Sequence, residues 1–282
     1  MGRSSRPPLG LVAGYGSFPL ELAERLRRDF TLEIVAVRNE ASPEIERFGS
    51  VTWLQVGRIQ AMIRRFRRAG VREVVMAGKV HKLHLFRNFL PDLPTLRAFR
   101  ALPDLRDDTI LNGVAAMLAE HDITIIPQVK YARDMLAPAG HLMGPAPDED
   151  RWRDIAFGLR HARAIAGLDI GQTVVVRQRA VLAVEAIEGT DEAIRRGGAL
   201  GGGHATVAKV AKPGQDLRFD VPVFGPDTLE TMRESGCDCL AVEAGLTLML
   251  ERERLRRLAD RYGITVVGAA VEGGGDGAVG EG

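Results

Sequence analysis

The sequence is poor in several residue types. Of 282 residues only two are cysteine, and aromatics make up 5%. Cys237 and Cys239 stand one residue apart, too close for an ordinary disulfide along a strand and without the further ligands of a zinc site. This excludes a disulfide-stapled secreted scaffold, and the pair reads as small, semi-buried residues at a strand start. Neither sign of charge prevails: 38 Lys and Arg against 37 Asp and Glu leave a net charge of +1. No global field draws the chain onto a polyanion, so no nucleic-acid partner is expected. No apolar run approaches the ~20 residues of a membrane span. The opening "MGRSSRPPLGLVAGYG" is basic, but its apolar run breaks at glycines after about six residues, unlike a secretory leader. A cytoplasmic protein is expected. Internal repeats, heptad runs and long single-sign charge blocks are also missing.

What is present is the composition of a globular protein, 45% apolar and 27% charged. The length favours two domains of roughly 100–200 residues over one core. Residues 9–13 read as a buried strand ending in "GYGSFP", followed by a helix over 20–29 with Leu22, Leu26 and Phe30 at helical spacing. Strands at 32–37 and 51–56, a helix at 59–69 and a strand at 73–78 continue the alternation. Such alternation predicts a mostly parallel, doubly wound sheet of Rossmann type. Helices dominate 92–121, and "DITIIPQ" is another strand.

"LAPAGHLMGPAPDEDRW" concentrates Pro and Gly between patterned regions and reads as a linker. A helix at 154–166, a hairpin turning at Gln178 and Arg179, and further elements through "ITVVGAAV" predict a second α/β domain. The expected organisation is an N-terminal Rossmann-like domain at 1–138, a linker at 139–151, a mixed α/β catalytic domain at 152–271 and a disordered tail at 272–282. A ligand cleft between the two α/β domains is part of this expectation.

Several stretches carry charge where chemistry would need it. Gly14 and Gly16 follow the first strand, and a glycine turn opening a helix presents N–H groups to an anion. The pattern is G-x-G-x-x-P, lacking the third glycine of dinucleotide folds, so the turn reads equally as a phosphate cradle or as a tight structural bend. Lys79, in "MAGKV", stands just past a parallel strand, where open α/β sheets hold ligands. In "VEAIEGTDEAIRR", Glu185 lies on an apolar strand and needs a partner: a cation, an arginine or a ligand hydroxyl. Thr190 or Asp191 would cap the next helix.

Residues 212–228, "KPGQDLRFDVPVFGPDT", alternate like a strand, with Leu217, Phe219, Val221 and Val223 on one face and Asp216, Arg218 and Asp220 on the other. Extended, Asp216 and Asp220 would be ~13 Å apart, too far to grip one Mg²⁺ directly. The two carboxylates should then have different tasks, with Arg218 between them as ion pair or phosphate clamp. The helix at 58–70, "RIQAMIRRFRRAG", sets Ile59, Met62, Ile63 and Phe66 against Arg64, Arg65, Arg67 and Arg68. It reads either as a surface helix on its sheet or as a cationic approach to an anionic membrane.

Together "GLVAGYGSFP", "MAGKV", "GQTVVVRQRAVLAVEAIEGTD", "KPGQDLRFDVPVFGPDT" and "LAVEAGLTLML" resemble the LpxI-type UDP-2,3-diacylglucosamine pyrophosphatases, in the same block order over residues 9–270. The segment "RGGALGGGHATVAK" departs from that likeness by being shorter and glycine-rich. The resemblance implies two α/β domains holding a lipid nucleotide substrate, with Mg²⁺ as cofactor; whether Mn²⁺ replaces it is left open by the sequence. It implies hydrolysis of UDP-2,3-diacylglucosamine to UMP and lipid X, in lipid A biosynthesis, in the cytoplasm; the basic helix at 58–70 offers an approach to the inner-membrane surface. A peripheral membrane contact and a homodimer are compatible with it.

Carried onto this chain, the resemblance makes Asp220 the foremost catalytic residue, with Asp216 as its alternative. Asp220, Glu188 and Glu185 become metal ligands. Gly14, Gly16, Lys79, Thr190, Asp191, Lys212, Gln215 and Arg218 become substrate contacts. Two rivals are a nicotinamide-dependent oxidoreductase, using the glycine turn and Glu40, and a non-catalytic nucleotide- or lipid-binding protein.

Overall fold

The strand–turn–helix rhythm of the first half builds a five-stranded sheet in the order β3-β2-β1-β4-β5, all neighbours parallel. The strands are β1 (Pro8–Ala13), β2 (Thr31–Val37), β3 (Ser50–Leu54), β4 (Glu73–Ala77) and β5 (Thr124–Ile125). A computed structural model describes residues 6–80, 91–104, 107–219 and 221–271 of the chain. Asp220 and the tail expected at 272–282 lie outside the described residues.

Helices α1 (Phe18–Leu26), α2 (Ile59–Arg68), α3 (Leu93–Arg100) and α4 (Asp107–Ala119) belong to this first unit. Met62, Ile63 and Phe66 of α2 and Val114, Met117 and Leu118 of α4 pack with Val12, Val35 and Val74 of the sheet. The apolar stripe of α2 is therefore consumed by the core. Only its outer face remains, where Arg64, Arg67 and Arg68 are exposed and Arg65 pairs with Glu33.

The second unit holds a six-stranded mixed sheet in the order β6-β13-β11-β9-β7-β8. Its strands are β6 (Gly140–Met143), β7 (Thr173–Arg177), β8 (Ala180–Val184), β9 (Ala205–Lys209), β11 (Cys237–Glu243) and β13 (Thr265–Ala269). β10 (Val223–Phe224) and β12 (Leu248–Met249) form a separate parallel pair. Helix α5 (Glu149–Gly167) covers one face, with Ile155, Leu159 and Ala162 on Val174, Val176 and Ala208. Helices α6 (Thr190–Gly201), α7 (Pro226–Ser235) and α8 (Arg252–Tyr262) cover the other, where Ile194, Leu229, Met232 and Leu255 meet Val175, Val207 and Val242.

Residues 139–151, expected as a linker, instead contain β6, paired antiparallel with β13, and the start of α5. Gly and Pro there bound a short edge strand, a place that tolerates both. The division into units also differs from a simple cut in the chain. Residues 216–220 count with residues 1–133, and the rest of 134–282 forms the second unit.

The hairpin is as expected, with Arg177 opposite Ala180 and Gln178 and Arg179 as its two-residue turn. Both turn residues have positive φ, 49° and 58°, uncommon away from glycine. The carboxylate of Asp154, on α5, accepts from the N–H of Gln178 (2.9 Å) and of Arg179 (2.7 Å), which compensates for the lack of an Asn-Gly pair.

Both cysteines are buried in β11, and burial pushes each thiol up to about 12. Neither forms a reactive thiolate at neutral pH. A chromogenic thiol titration should count no reactive thiol in the native protein and two in guanidinium chloride; rapid native labelling would contradict this burial.

Candidate active site

The ends of β1 and β4 carry the first group of predicted residues. Tyr15 donates its N–H to the Lys79 carbonyl (2.7 Å), Lys79 returns one to Tyr15 (3.0 Å), and Gly14 donates to Ala77 (2.8 Å). The N–H groups of Gly14 and Tyr15 are thus spent on closing β1 against β4. A Cβ on Gly14 would stand 2.5 Å from the Lys79 carbonyl oxygen, and one on Gly78 2.6 Å from that of Tyr15. Gly14 is there for this close approach, while Gly16, with φ +106° and no neighbour, faces open space. Pro19 removes a donor from the first turn of α1. This bridge closes the switch point where a dinucleotide would cross an open sheet, which speaks against the oxidoreductase reading. The Lys79 side chain is exposed, and Glu40, after β2, is buried.

Residues 216–219 are not a strand but a turn, contrary to the alternation of their side chains. Asp216 Oδ1 accepts from the Arg218 N–H (3.0 Å), and Phe219 donates to the Asp216 carbonyl (3.0 Å). Asx turns of this kind compete directly with sheet ladders. Gln128, itself buried, donates its backbone N–H to Leu217 O (3.0 Å) and its side-chain Nε2 to Phe219 O (3.1 Å). Phe219 packs on the first unit's core. The ~13 Å separation of Asp216 and Asp220 rested on an extended strand and falls with it.

Within the turn, Arg218 binds Asp216 through Nε (3.0 Å) and Nη2 (2.6 Å), and Nη2 also reaches Asn112 Oδ1 (2.9 Å). The guanidinium lies 4.8 Å from the Phe219 ring centre. Hydrogen bonds from Arg218 hold the Asp216 carboxyl below the usual aspartate range, against the opposing pull of partial burial.

The second unit gathers its polar groups at the carboxyl ends of β8 and β9. Glu185, immediately after β8, is 8% exposed and Lys209, ending β9, is 7% exposed. One hydroxyl joins them: Lys209 Nζ donates to Thr190 Oγ1 (3.2 Å), and Thr190 Oγ1 donates to Glu185 Oε1 (2.9 Å). An ammonium can only donate, so the threonine proton is committed to the glutamate. The Gln172 N–H supplies Glu185 Oε2 (3.3 Å). Thr173 stands opposite Lys209 in the ladder, and its buried Oγ1 and Gln172 Oε1 have no hydrogen-bond partner among the described residues. Directly opposed residues of an antiparallel pair share a face, so Thr173 and Lys209 both lie on the α6 side.

The remaining predicted residues are dispersed among local partners. Thr190 is the first residue of α6 and Asp191 the second, and the cap is Gly189 at φ 86°. Glu188 faces Arg196 and accepts from the Ala186 N–H. Its carboxyl lies below the ordinary range, first through its own backbone N–H and then through Arg196. Lys212 pairs with Asp169 (2.6 Å), and Gln215 Oε1 caps the Lys212 N–H (2.9 Å). Sequence reasoning missed Lys209 and Glu243. The signal available was a single charge ending an apolar strand, in "ATVAK" and "CDCLAVE".

The architecture is that of a two-unit α/β protein, with buried charges at strand carboxyl ends, where open sheets of this class hold ligands. Profiles of the LpxI N-terminal domain and the LpxI C-terminal domain match residues 8–135 and 138–267. The chain belongs to the LpxI family. It is 32% identical over 277 residues to the UDP-2,3-diacylglucosamine pyrophosphatase LpxI of Caulobacter vibrioides, covering 92% of this chain and 96% of that protein. An L-threonine dehydrogenase structure from Phytophthora infestans aligns with 50% of this chain and 41% of its own at 15% identity, with a TM-score of 0.29, too low to bear on fold or function.

Proposed function

We propose that the protein hydrolyses the pyrophosphate bond of UDP-2,3-diacylglucosamine, releasing UMP and 2,3-diacylglucosamine 1-phosphate for lipid A biosynthesis in the cytoplasm. The observation that carries this reading is the 32% identity to the Caulobacter enzyme over 92% of the chain. In the reaction a water oxygen bonds to one phosphorus while the bridging P–O bond breaks. The bond's electron pair stays on the bridging oxygen of the departing phosphate, and the two protons of the water are released as both products become phosphomonoester dianions.

Charge on two phosphates must be neutralised and the water oriented. Arg218 can supply fixed positive charge, with two of its nitrogens anchored on Asp216 and Asn112. Lys209 offers a second cation in a site of low exposure, where it acts more strongly than in water. Asp216 stays ionised, and its charge-assisted bonds to Arg218 make it a poor base. Its folded value is depressed, so the stability it contributes is present above the ordinary aspartate range and fades as pH falls through the lowered value. Activity that rises near neutral pH would therefore report another group, and we assign water orientation to Asp220.

Among the described residues no three carboxylate, histidine or cysteine side chains converge on a metal position. Glu185 is engaged by Thr190 and Gln172, Glu188 by Arg196 and Asp216 by Arg218. These described residues do not by themselves compose a Mg²⁺ site. Mg²⁺, or Mn²⁺ in its place, needs few protein ligands when it arrives on a pyrophosphate, and there it would neutralise phosphate charge.

We further propose a peripheral contact with the anionic inner-membrane surface through Arg64, Arg67 and Arg68. The contact is electrostatic, since the apolar side of α2 is buried. No helix among the described residues is long and apolar enough to cross a membrane. Cosedimentation with phosphatidylglycerol vesicles should be lost when the three arginines become glutamine, or when salt is raised. Binding that survives both changes would contradict the charge-only contact.

UMP release from UDP-2,3-diacylglucosamine, followed by chromatography, tests the reaction. Asp220→Ala should abolish it. Asp216→Asn should lower kcat/KM about tenfold or more, without moving any acidic limb of the pH profile. Turnover of Asp220→Ala at the wild-type rate would sink the assignment.

A further inference from the structure

We infer that Glu243, acting with Arg163, is a positioning residue for the reaction just proposed, and the inference rests on that reading. The pair binds both backbone polar groups of one residue, Ala211, at the point where the chain leaves the second sheet for residues 212–219. β9 ends at Lys209, and the Val210 N–H still reaches Gln172 O (3.0 Å). Ala211 comes next, 3% exposed and outside any strand, so its two backbone polar groups need partners. Side chains provide them: Glu243 Oε2 accepts from the Ala211 N–H (2.8 Å), and Arg163 Nη1 donates to the Ala211 carbonyl (3.1 Å).

The two charges come from different elements. Glu243 closes β11 and is 6% exposed, whereas Arg163 lies on α5 with Nη1 3.5 Å from Glu243 Oε1. Glu243 lies on the α5 face, because Cys239 and Ala241, two and four residues before it, pack against that helix. This is the face opposite Thr173 and Lys209. Downstream, the Gln215 N–H bonds Lys212 O (3.1 Å) in a turn with Gly214 at φ 70°, and the Asp216–Arg218 pair follows.

Burying a carboxylate carries a large desolvation penalty, and replacing a buried ion pair by apolar residues often leaves stability unchanged or raised. Stability alone therefore does not account for a charged pair here. What it adds is direction: it satisfies the two out-of-ladder polar groups of Ala211 and fixes the direction in which the chain leaves β9 toward Lys212. Displacing catalytic groups by about 1 Å costs up to about a hundredfold in rate.

The test compares Glu243→Met, which removes the acceptor, with Glu243→Gln, which keeps an oxygen for the Ala211 N–H. Circular dichroism and thermal midpoints first establish that both fold. On UDP-2,3-diacylglucosamine, Glu243→Met should lose about 10- to 100-fold in kcat with KM nearly unchanged, and Glu243→Gln should stay within about threefold of wild type. Wild-type kcat in folded Glu243→Met overturns the inference, as does an equal loss in both variants. Should Glu243→Met not fold, Arg163→Met removes the carbonyl bond and the ion pair with Glu243 while leaving the Ala211 N–H its acceptor. It should lower kcat by about three- to tenfold, and wild-type kcat there is equally fatal.

Hydrogen exchange of the peptide spanning 210–219 gives a readout independent of turnover. Exchange should quicken in Glu243→Met and not in Glu243→Gln, and identical exchange in the two variants overturns the clamp. If the wild-type protein releases no UMP, the functional reading fails while the exchange comparison still decides the clamp.

Discussion

A buried lysine and a buried glutamate, joined through a single threonine hydroxyl, set the geometry at the carboxyl ends of β8 and β9 in the second sheet. Lys209, Thr190 and Glu185 come from β9, α6 and the end of β8, so the chain of bonds fixes three elements to one another. Leaving either charge alone in that environment would cost several kcal/mol, whereas the shared hydroxyl lets each find a partner with one proton committed. Gly189 permits the arrangement, because its positive φ lets α6 begin immediately after the loop that follows Glu185.

The same economy recurs elsewhere. Asp216 serves Arg218, Asp154 serves a hairpin turn, and Glu243 with Arg163 serves one peptide unit. In each case a carboxylate answers a need of the chain itself. In the proposed reaction, fixed positive charge would come from Arg218, held by Asp216, and from Lys209, held by Thr190. Phosphoanhydride hydrolysis suits such an arrangement, since the reaction asks chiefly for fixed positive charge and an oriented water.

Most of the fold was legible because its elements are long and strongly patterned. Leu9 to Ala13 and the β2, β4 and α2 segments show their periods plainly, and the hairpin at Gln178 was visible from two apolar runs around the polar Gln178–Arg179 pair. Residues 216–219 were not legible as a turn. Leu217 and Phe219 alternate with Asp216 and Arg218 as a strand would, but the Asp216 side chain binds the Arg218 N–H and Gln128 takes two of the carbonyls. Gln128 is distant in sequence, so no local signal announced it.

Chemistry was legible in type more than in place. Glu185 was expected to need a partner, and the partner is the protein's own Thr190. Residues 139–151 looked like a linker because β6 is a short edge strand framed by Pro and Gly. Lys209 and Glu243 were hidden because a lone charge at the end of an apolar strand looks incidental until the neighbouring strands are known.

Kinetics of Lys209→Met on UDP-2,3-diacylglucosamine test the central claim most directly. If the buried cation neutralises phosphate charge, the folded variant should lose about a hundredfold or more in kcat/KM, in line with removing one preorganised charge from a low-dielectric site. A folded Lys209→Met protein turning over at the wild-type rate would contradict the account.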